Sequence, residues 1–160
     1  MHWADFTAQR LMERGSEQVS ASGITPSGEF HIGHLREILS AEMIHRACID
    51  AGMRSKYIFI VDSMDPLRRV YDFLSPEYEE FIGCPLAFIP APEADGSPGD
   101  GGVTYAEYFL SPFLDALEQI GVRPEVVMNH ETYEKGLFAE YIDSAITNRD
   151  EIRAIIQQIS

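Results

Sequence analysis

The stretch Thr25-Pro26-Ser27-Gly28-Glu29-Phe30-His31-Ile32-Gly33-His34 sets two histidines three residues apart, one on each side of a glycine. Residues at that spacing share a helix face, and two imidazoles there can donate hydrogen bonds to phosphate oxygens as charge builds during adenylyl transfer. A glycine at the helix start lets backbone approach a phosphate lying on the helix N-terminus. An isolated pair of histidines would more simply be helix caps. The ten-residue context between a strand and a helix favours the phosphate reading. Asp62 and Asp65 form a second candidate set, just beyond the apolar run at 57–61. Two carboxylates at the carboxyl end of a buried strand can hold ammonium groups, because a desolvated cation needs a paired anion. Asp65 has an equally simple alternative as an N-cap, since Asp-Pro commonly opens a helical turn.

These residues need a scaffold, and the hydrophobic pattern supplies one. Residues 3–14 read as a short amphipathic helix ending at Gly15, followed by a strand near 18–24. Thr25 to Gly28 break the pattern before an apolar-periodic helix from about Gly33 to Ala51, and residues 56–62 read as a strand buried on both faces. Short helical pieces punctuated by Pro66, Pro76 and Gly83 come next. Residues 90–102 hold three of the nine prolines and four of the twelve glycines, the composition of an exposed, mobile loop. A helix over 104–121, a strand at 124–129 and one last helix from about Gly136 to Ile159 complete the pattern. That alternation predicts a three-layer α/β fold with a parallel sheet.

Several side chains invite plainer readings. Arg68 and Arg69 suit a phosphate or tRNA and equally surface ion pairs, Glu107 a solvated helix face, and Tyr105, Tyr108, Phe109 and Phe113 a core stripe. Composition narrows the rest. At 160 residues the chain supports one ordinary core, and its net charge of −14 repels polyanions as a whole. Most of any grip on nucleic acid must therefore come from elsewhere, because such binding draws on Lys and Arg. No apolar run approaches the roughly 20 residues of a membrane span, no signal peptide is visible, and two scattered cysteines fit neither a zinc site nor a disulfide. A cytoplasmic protein with no metal of its own is expected.

Thr25 to His34 resembles the HIGH signature of class I aminoacyl-tRNA synthetases. Further stretches resemble the class I lysine–tRNA ligases: His2-Trp3-Ala4-Asp5, the lead-in from Ala21, Leu35-Arg36-Glu37, Asp62 to Asp65 with Arg68-Arg69-Val70, and Tyr105-Ala106-Glu107. The likeness runs over essentially all 160 residues. It implies the N-terminal half of a Rossmann-like catalytic domain, a parallel sheet with helices on both faces. It implies ATP, with its Mg²⁺, against Thr25, Pro26, Ser27, Gly28, His31, Gly33 and His34, with His31 and His34 as the catalytic pair. Lysine would sit against Asp62 and Asp65, and tRNA(Lys) would be held through regions mostly absent here. The reaction implied is lysine plus ATP giving lysyl adenylate and pyrophosphate, then transfer to tRNA.

The same pattern lacks the KMSKS-type lysine loop, the anticodon-binding region and a Cys-His pair near 90–102. A fragment of a longer product, a short paralogue and a partner-completed half enzyme are all compatible with this, and the last helix shows no stop signal. Two rival functions share the strand, HxGH, helix device: a small adenylyltransferase of cofactor synthesis, and a nucleotide-binding module without catalysis.

Overall fold

The computed structural model describes residues 2–159, in two compact units that divide between Asn129 and His130. In the first unit, helix α1 (Trp3–Met12) opens with a reciprocal cap. The Ala4 N–H donates to His2 Nδ1 at 3.3 Å, and the His2 N–H donates to the Asp5 carboxylate at 3.0 Å. Small residues let α1 lie close on the next helix, so Ala4 and Ala8 bury against Ala47, Cys48 and Met53.

Strand β1 (Glu17–Ile24) leads through the histidine loop into helix α2 (Ile32–Asp50) and strand β2 (Arg54–Val61). A long connection then leads to helix α3 (Tyr105–Gln119) and strand β3 (Glu125–Met128). Both strand pairings are parallel and the strand order is β1-β2-β3. The expected α/β alternation is present.

On one sheet face Tyr57, Phe59 and Val61 alternate inward and meet Ile38 and Ala41 of α2 and Leu110, Phe113 and Leu117 of α3. Both crossover helices thus cover the same face, whereas the sequence reading placed helices on both. Parallel crossovers are right-handed, and two that step in the same direction along a sheet must pack on one side. The opposite face presents Ala21 and Val19, both exposed, with Ile58, Ile60 and Val127 half-buried.

Between β2 and α3 the chain makes two 3₁₀ turns, Pro76–Phe81 and Leu86–Phe88. It also builds a second core from Leu67, Leu74, Tyr78, Leu86, Ile89, Tyr105 and Phe109. The Gly/Pro-rich segment 90–102 is tied to itself and to its surroundings. Ala91 N–H donates to Val103 O at 3.0 Å, Glu93 N–H to Ser97 O at 2.8 Å, and Ser75 N–H to Gly96 O at 2.8 Å. Gly96 has φ +84°, and a Cβ there would meet Phe73 O at 2.6 Å, so this turn requires glycine.

The last stretch is not the single helix expected from Gly136 onward. A short helix α4 (Asn129–Glu134) precedes it, and the stretch itself forms α5 (Ala139–Thr147) and α6 (Arg149–Ile159). Gly136, at φ +69°, turns the chain after α4. At Asn148 the side-chain amide donates to Ser144 O at 2.8 Å, a local bond that competes with helix continuation and closes α5.

The core assignment has a direct consequence for stability. Phe59 is fully buried, so Phe59→Ala should cost about 3–5 kcal/mol in urea unfolding. Val19→Thr on the open sheet face should stay within about 0.5 kcal/mol.

Candidate functional site

Parallel pairing aligns the carboxyl ends of β1 and β2, with Ile24 opposite Val61. The loops that leave these two strands must therefore meet. Thr25 Oγ1 donates to Asp65 Oδ2 at 2.7 Å. Asp62 N–H donates to Ile24 O at 3.0 Å, which continues the ladder one residue past the strands. The histidine loop is pinned by its own chain and from behind: Ser27 N–H donates to Thr25 O at 2.9 Å, Tyr105 Oη donates to Ser27 O at 2.9 Å, and Pro26 is buried.

At the start of α2 the histidines cap the helix reciprocally. Gly33 N–H donates to His31 Nδ1 at 3.0 Å, and His31 N–H donates to His34 Nδ1 at 3.0 Å. With each Nδ1 accepting, the proton of a neutral ring sits on Nε2. Both rings thus keep an outward donor beside the positive end of the helix. Their centroids are 4.0 Å apart, and a Cβ on Gly33 would come within 2.7 Å of the His31 ring. Burial, and then the neighbouring His31, lower the His34 pKa, with Glu37 opposing, so His34 is neutral at pH 7. The cap reading and the phosphate reading of the two histidines are compatible, because capping is what aims the Nε2 donors.

A cleft of about 350 Å³ lies here, lined by Gly23, Ile24, Thr25, Ser27, His34, Glu37, Pro66, Arg68 and Tyr71. It gathers Thr25, Ser27 and His34 from the expected nucleotide set. Gly28 lies instead against the Phe73 ring, where a Cβ would sit 3.7 Å from it. His31 and Gly33 are exposed beside His34 at the helix start. A larger hollow of about 830 Å³ is walled by Phe30, Phe73, Tyr108, Phe109 and Phe113, with Glu29 and Glu93 among its lining. Its lining includes no histidine, serine or threonine, whereas the smaller cleft has Thr25, Ser27 and His34.

The two aspartates differ. Asp62 is half-buried, and no hydrogen bond or ion pair reaches its carboxylate among the described residues. Burial, then Asp65, then Glu37 raise its pKa. Asp65 is engaged by Thr25, and Arg68 Nη2 stands 3.7 Å away. The N-cap alternative for Asp65 is not realised: Pro66 forms an antiparallel bridge with Pro85 and opens no helix.

Sequence reasoning passed over Glu37. It sits three residues after His34 on α2, and its Oε1 accepts from Gly23 N–H at 3.2 Å. The i, i+3 spacing from His34 was the available signal. Among the secondary candidates, Arg69 lies 5.2 Å over the Tyr71 ring. Glu107 is exposed on α3 and also completes its cap, accepting from Thr104 N at 2.9 Å and Thr104 Oγ1 at 2.8 Å. Tyr105, Phe109 and Phe113 are core, while Tyr108 is 46% exposed.

The family model described as tRNA synthetases class I (K) matches residues 1–160. The chain belongs to this family. It is 42% identical over 160 residues to lysine–tRNA ligase 1 of Methanosarcina acetivorans, covering all of this chain and 29% of that protein. It is 43% identical over 160 residues to the lysine–tRNA ligase of Archaeoglobus fulgidus, covering all of this chain and 31% of the relative. For the lysine–tRNA ligase of Methanocaldococcus jannaschii the identity is 42%, over 99% of this chain and 29% of the relative. The chain thus spans about three tenths of the length of these relatives. No helix among the described residues is long and apolar enough to cross a membrane.

The isolation of Asp62 sets a pH dependence. A carboxyl whose folded pKa lies above its ordinary 3.8 binds protons more tightly folded than unfolded. Its contribution to stability is present below pH 3.8 and is lost as pH rises through the folded value. Asp62→Asn should therefore raise the melting temperature at pH 7 by about 1–3 °C and flatten the decline above pH 3.8. A lower melting temperature in calorimetry would contradict an unpartnered carboxylate.

Proposed function

We propose that this chain supplies the first half of the adenylate-forming site of a cytoplasmic class I lysine–tRNA ligase, which joins lysine to ATP and passes it to tRNA(Lys). The observation that carries the reading is the reciprocal histidine cap, which leaves Nε2–H donors at a helix N-terminus beside a cleft lined by His34, Glu37 and Arg68.

In this reading ATP lies against the loop from Thr25 to Gly28 and the start of α2, its phosphates toward His31, Gly33 and His34. Mg²⁺ travels with the nucleotide and offsets phosphate charge. The histidines act as hydrogen-bond donors to the oxygens that gain charge, not as bases. The lowered pKa of His34 suits that role, since the donor is the Nε2–H and no proton has to be lost. Attack of the lysine carboxylate on the α-phosphorus forms the acyl-phosphate bond and expels pyrophosphate.

The ammonium groups of lysine find carboxylates at the head of the sheet. Asp62 offers an unpaired anion whose raised pKa a bound cation would bring down. Asp65, though engaged by Thr25, adds charge nearby, and Glu37 joins the set from α2. The reading is also supported by the archaeal relatives, which are named lysine–tRNA ligases. Contacts to tRNA(Lys) would fall largely to other parts of a complete enzyme, because a chain of net charge −14 is poorly suited to holding a polyanion alone.

Titration calorimetry with a non-hydrolysable lysyl-adenylate analogue tests the reading. The chain should bind the analogue, and His31→Ala or His34→Ala should weaken binding by about tenfold each, the scale of one lost hydrogen bond to a charged group. In a complete enzyme the same changes should slow adenylate formation by about 10²-fold. Unchanged affinity in both variants would remove the histidines from this role.

A further inference from the structure

The proposed substrates raise an electrostatic problem that the cleft must solve. ATP carries phosphates and the amino acid a carboxylate, yet Glu37 lines the cleft, and Asp65 and Asp62 stand against its lining residues Thr25 and Gly23. Of the residues lining the cleft, Arg68 alone bears a permanent positive charge. His34 is held neutral at pH 7 by burial and by His31. The adjacent Arg69 is not a lining residue; it lies over the Tyr71 ring, 5.2 Å from its centroid.

The placement of Arg68 is that of a group steered but not consumed. Its Nη2 stands 3.7 Å from Asp65 Oδ2, beyond hydrogen-bond reach, and its side chain is 75% exposed. A guanidinium carries five N–H donors in a planar fork matched to carboxylate and phosphate oxygens. Asp65 is fixed by Thr25 Oγ1 at 2.7 Å, so it gives the flexible arginine a stationary partner. The fork is thereby biased toward the cleft and its donors stay available.

We infer that Arg68 is the anion-binding residue of this cleft, taking an oxygen of the substrate carboxylate or of the nucleotide phosphates, with Asp65 as its positioning residue. This rests on the function proposed above. Asp65 then serves mainly to hold Thr25 and Arg68, which leaves Asp62, and the Glu37 oxygen not taken by Gly23, for a cationic side chain.

Matched ligand pairs separate the two anion sources. The 160-residue chain is titrated with ATP and adenosine, and with lysine and lysinamide, as wild type, Arg68→Ala, Arg68→Lys and Arg69→Ala. If the phosphates are the target, Arg68→Ala weakens ATP by about tenfold and leaves adenosine unchanged. If the carboxylate is the target, it weakens lysine by about tenfold and leaves lysinamide unchanged. In either case Arg68→Lys restores part of the loss, and Arg69→Ala behaves as wild type. A merely structural role would move both members of a pair together, and that result overturns the assignment. Wild-type affinity of Arg68→Ala for ATP and lysine overturns it while leaving the proposed function standing. Failure of the unaltered, folded chain to bind any of the four ligands overturns both.

Discussion

The parallel register of β1 on β2 is the constraint that creates the site. Eight consecutive residues pair, from Glu17 opposite Arg54 to Ile24 opposite Val61, so the two strands end level. Because the ends are level, the loop after β1 and the loop after β2 leave from the same edge and meet. Thr25 reaches Asp65, and Asp62 continues the backbone ladder to Ile24. A slip of one residue would turn Tyr57, Phe59 and Val61 away from α2 and α3, so core burial enforces the register that aligns the site. Stability and function are thus coupled through one set of side chains facing one pair of helices.

Electrostatics pull the other way. The head of the sheet collects Glu37, Asp62 and Asp65, and the half-buried Asp62 carboxylate has no partner among the described residues. A fold selected only for stability would neutralise or pair such a group. Retaining it makes sense where a ligand brings the missing positive charge, since a bound ammonium would relieve the repulsion and the desolvation together. The histidines at the start of α2 are the complementary feature: with Nδ1 accepting from backbone, they present donors to negative charge a short distance from the acidic group. The cleft thus sets hydrogen-bond donors at the start of α2 beside carboxylates at the head of the sheet.

Family membership and geometry constrain different things. The match over residues 1–160 and the lysine–tRNA ligase relatives fix what kind of protein this chain belongs with. They do not say which side chain holds which group. That assignment comes from hydrogen bonds and charges: Asp65 taken up by Thr25, Arg69 by Tyr71, Glu107 by the cap of α3.

The motif from Thr25 to His34, its place between strand and helix and the parallel α/β alternation were legible in the sequence because each is a local pattern. The cap between His31 and His34 spans three residues, and strand and helix periods repeat within one element. The break at Asn148 went unread, since a single side-chain bond to Ser144 outweighed an otherwise continuous apolar period. The covering of one sheet face by both α2 and α3 depends on the strand order, which periodicity does not carry. Only the tertiary structure decided the division of labour among the charged groups. Thr25 and Asp65 are forty residues apart and Gly23 and Glu37 fourteen, so these contacts arise when the folded sheet and helix bring distant segments together. A sequence states which chemistries a chain carries, and the packing of its core selects which of them share a site.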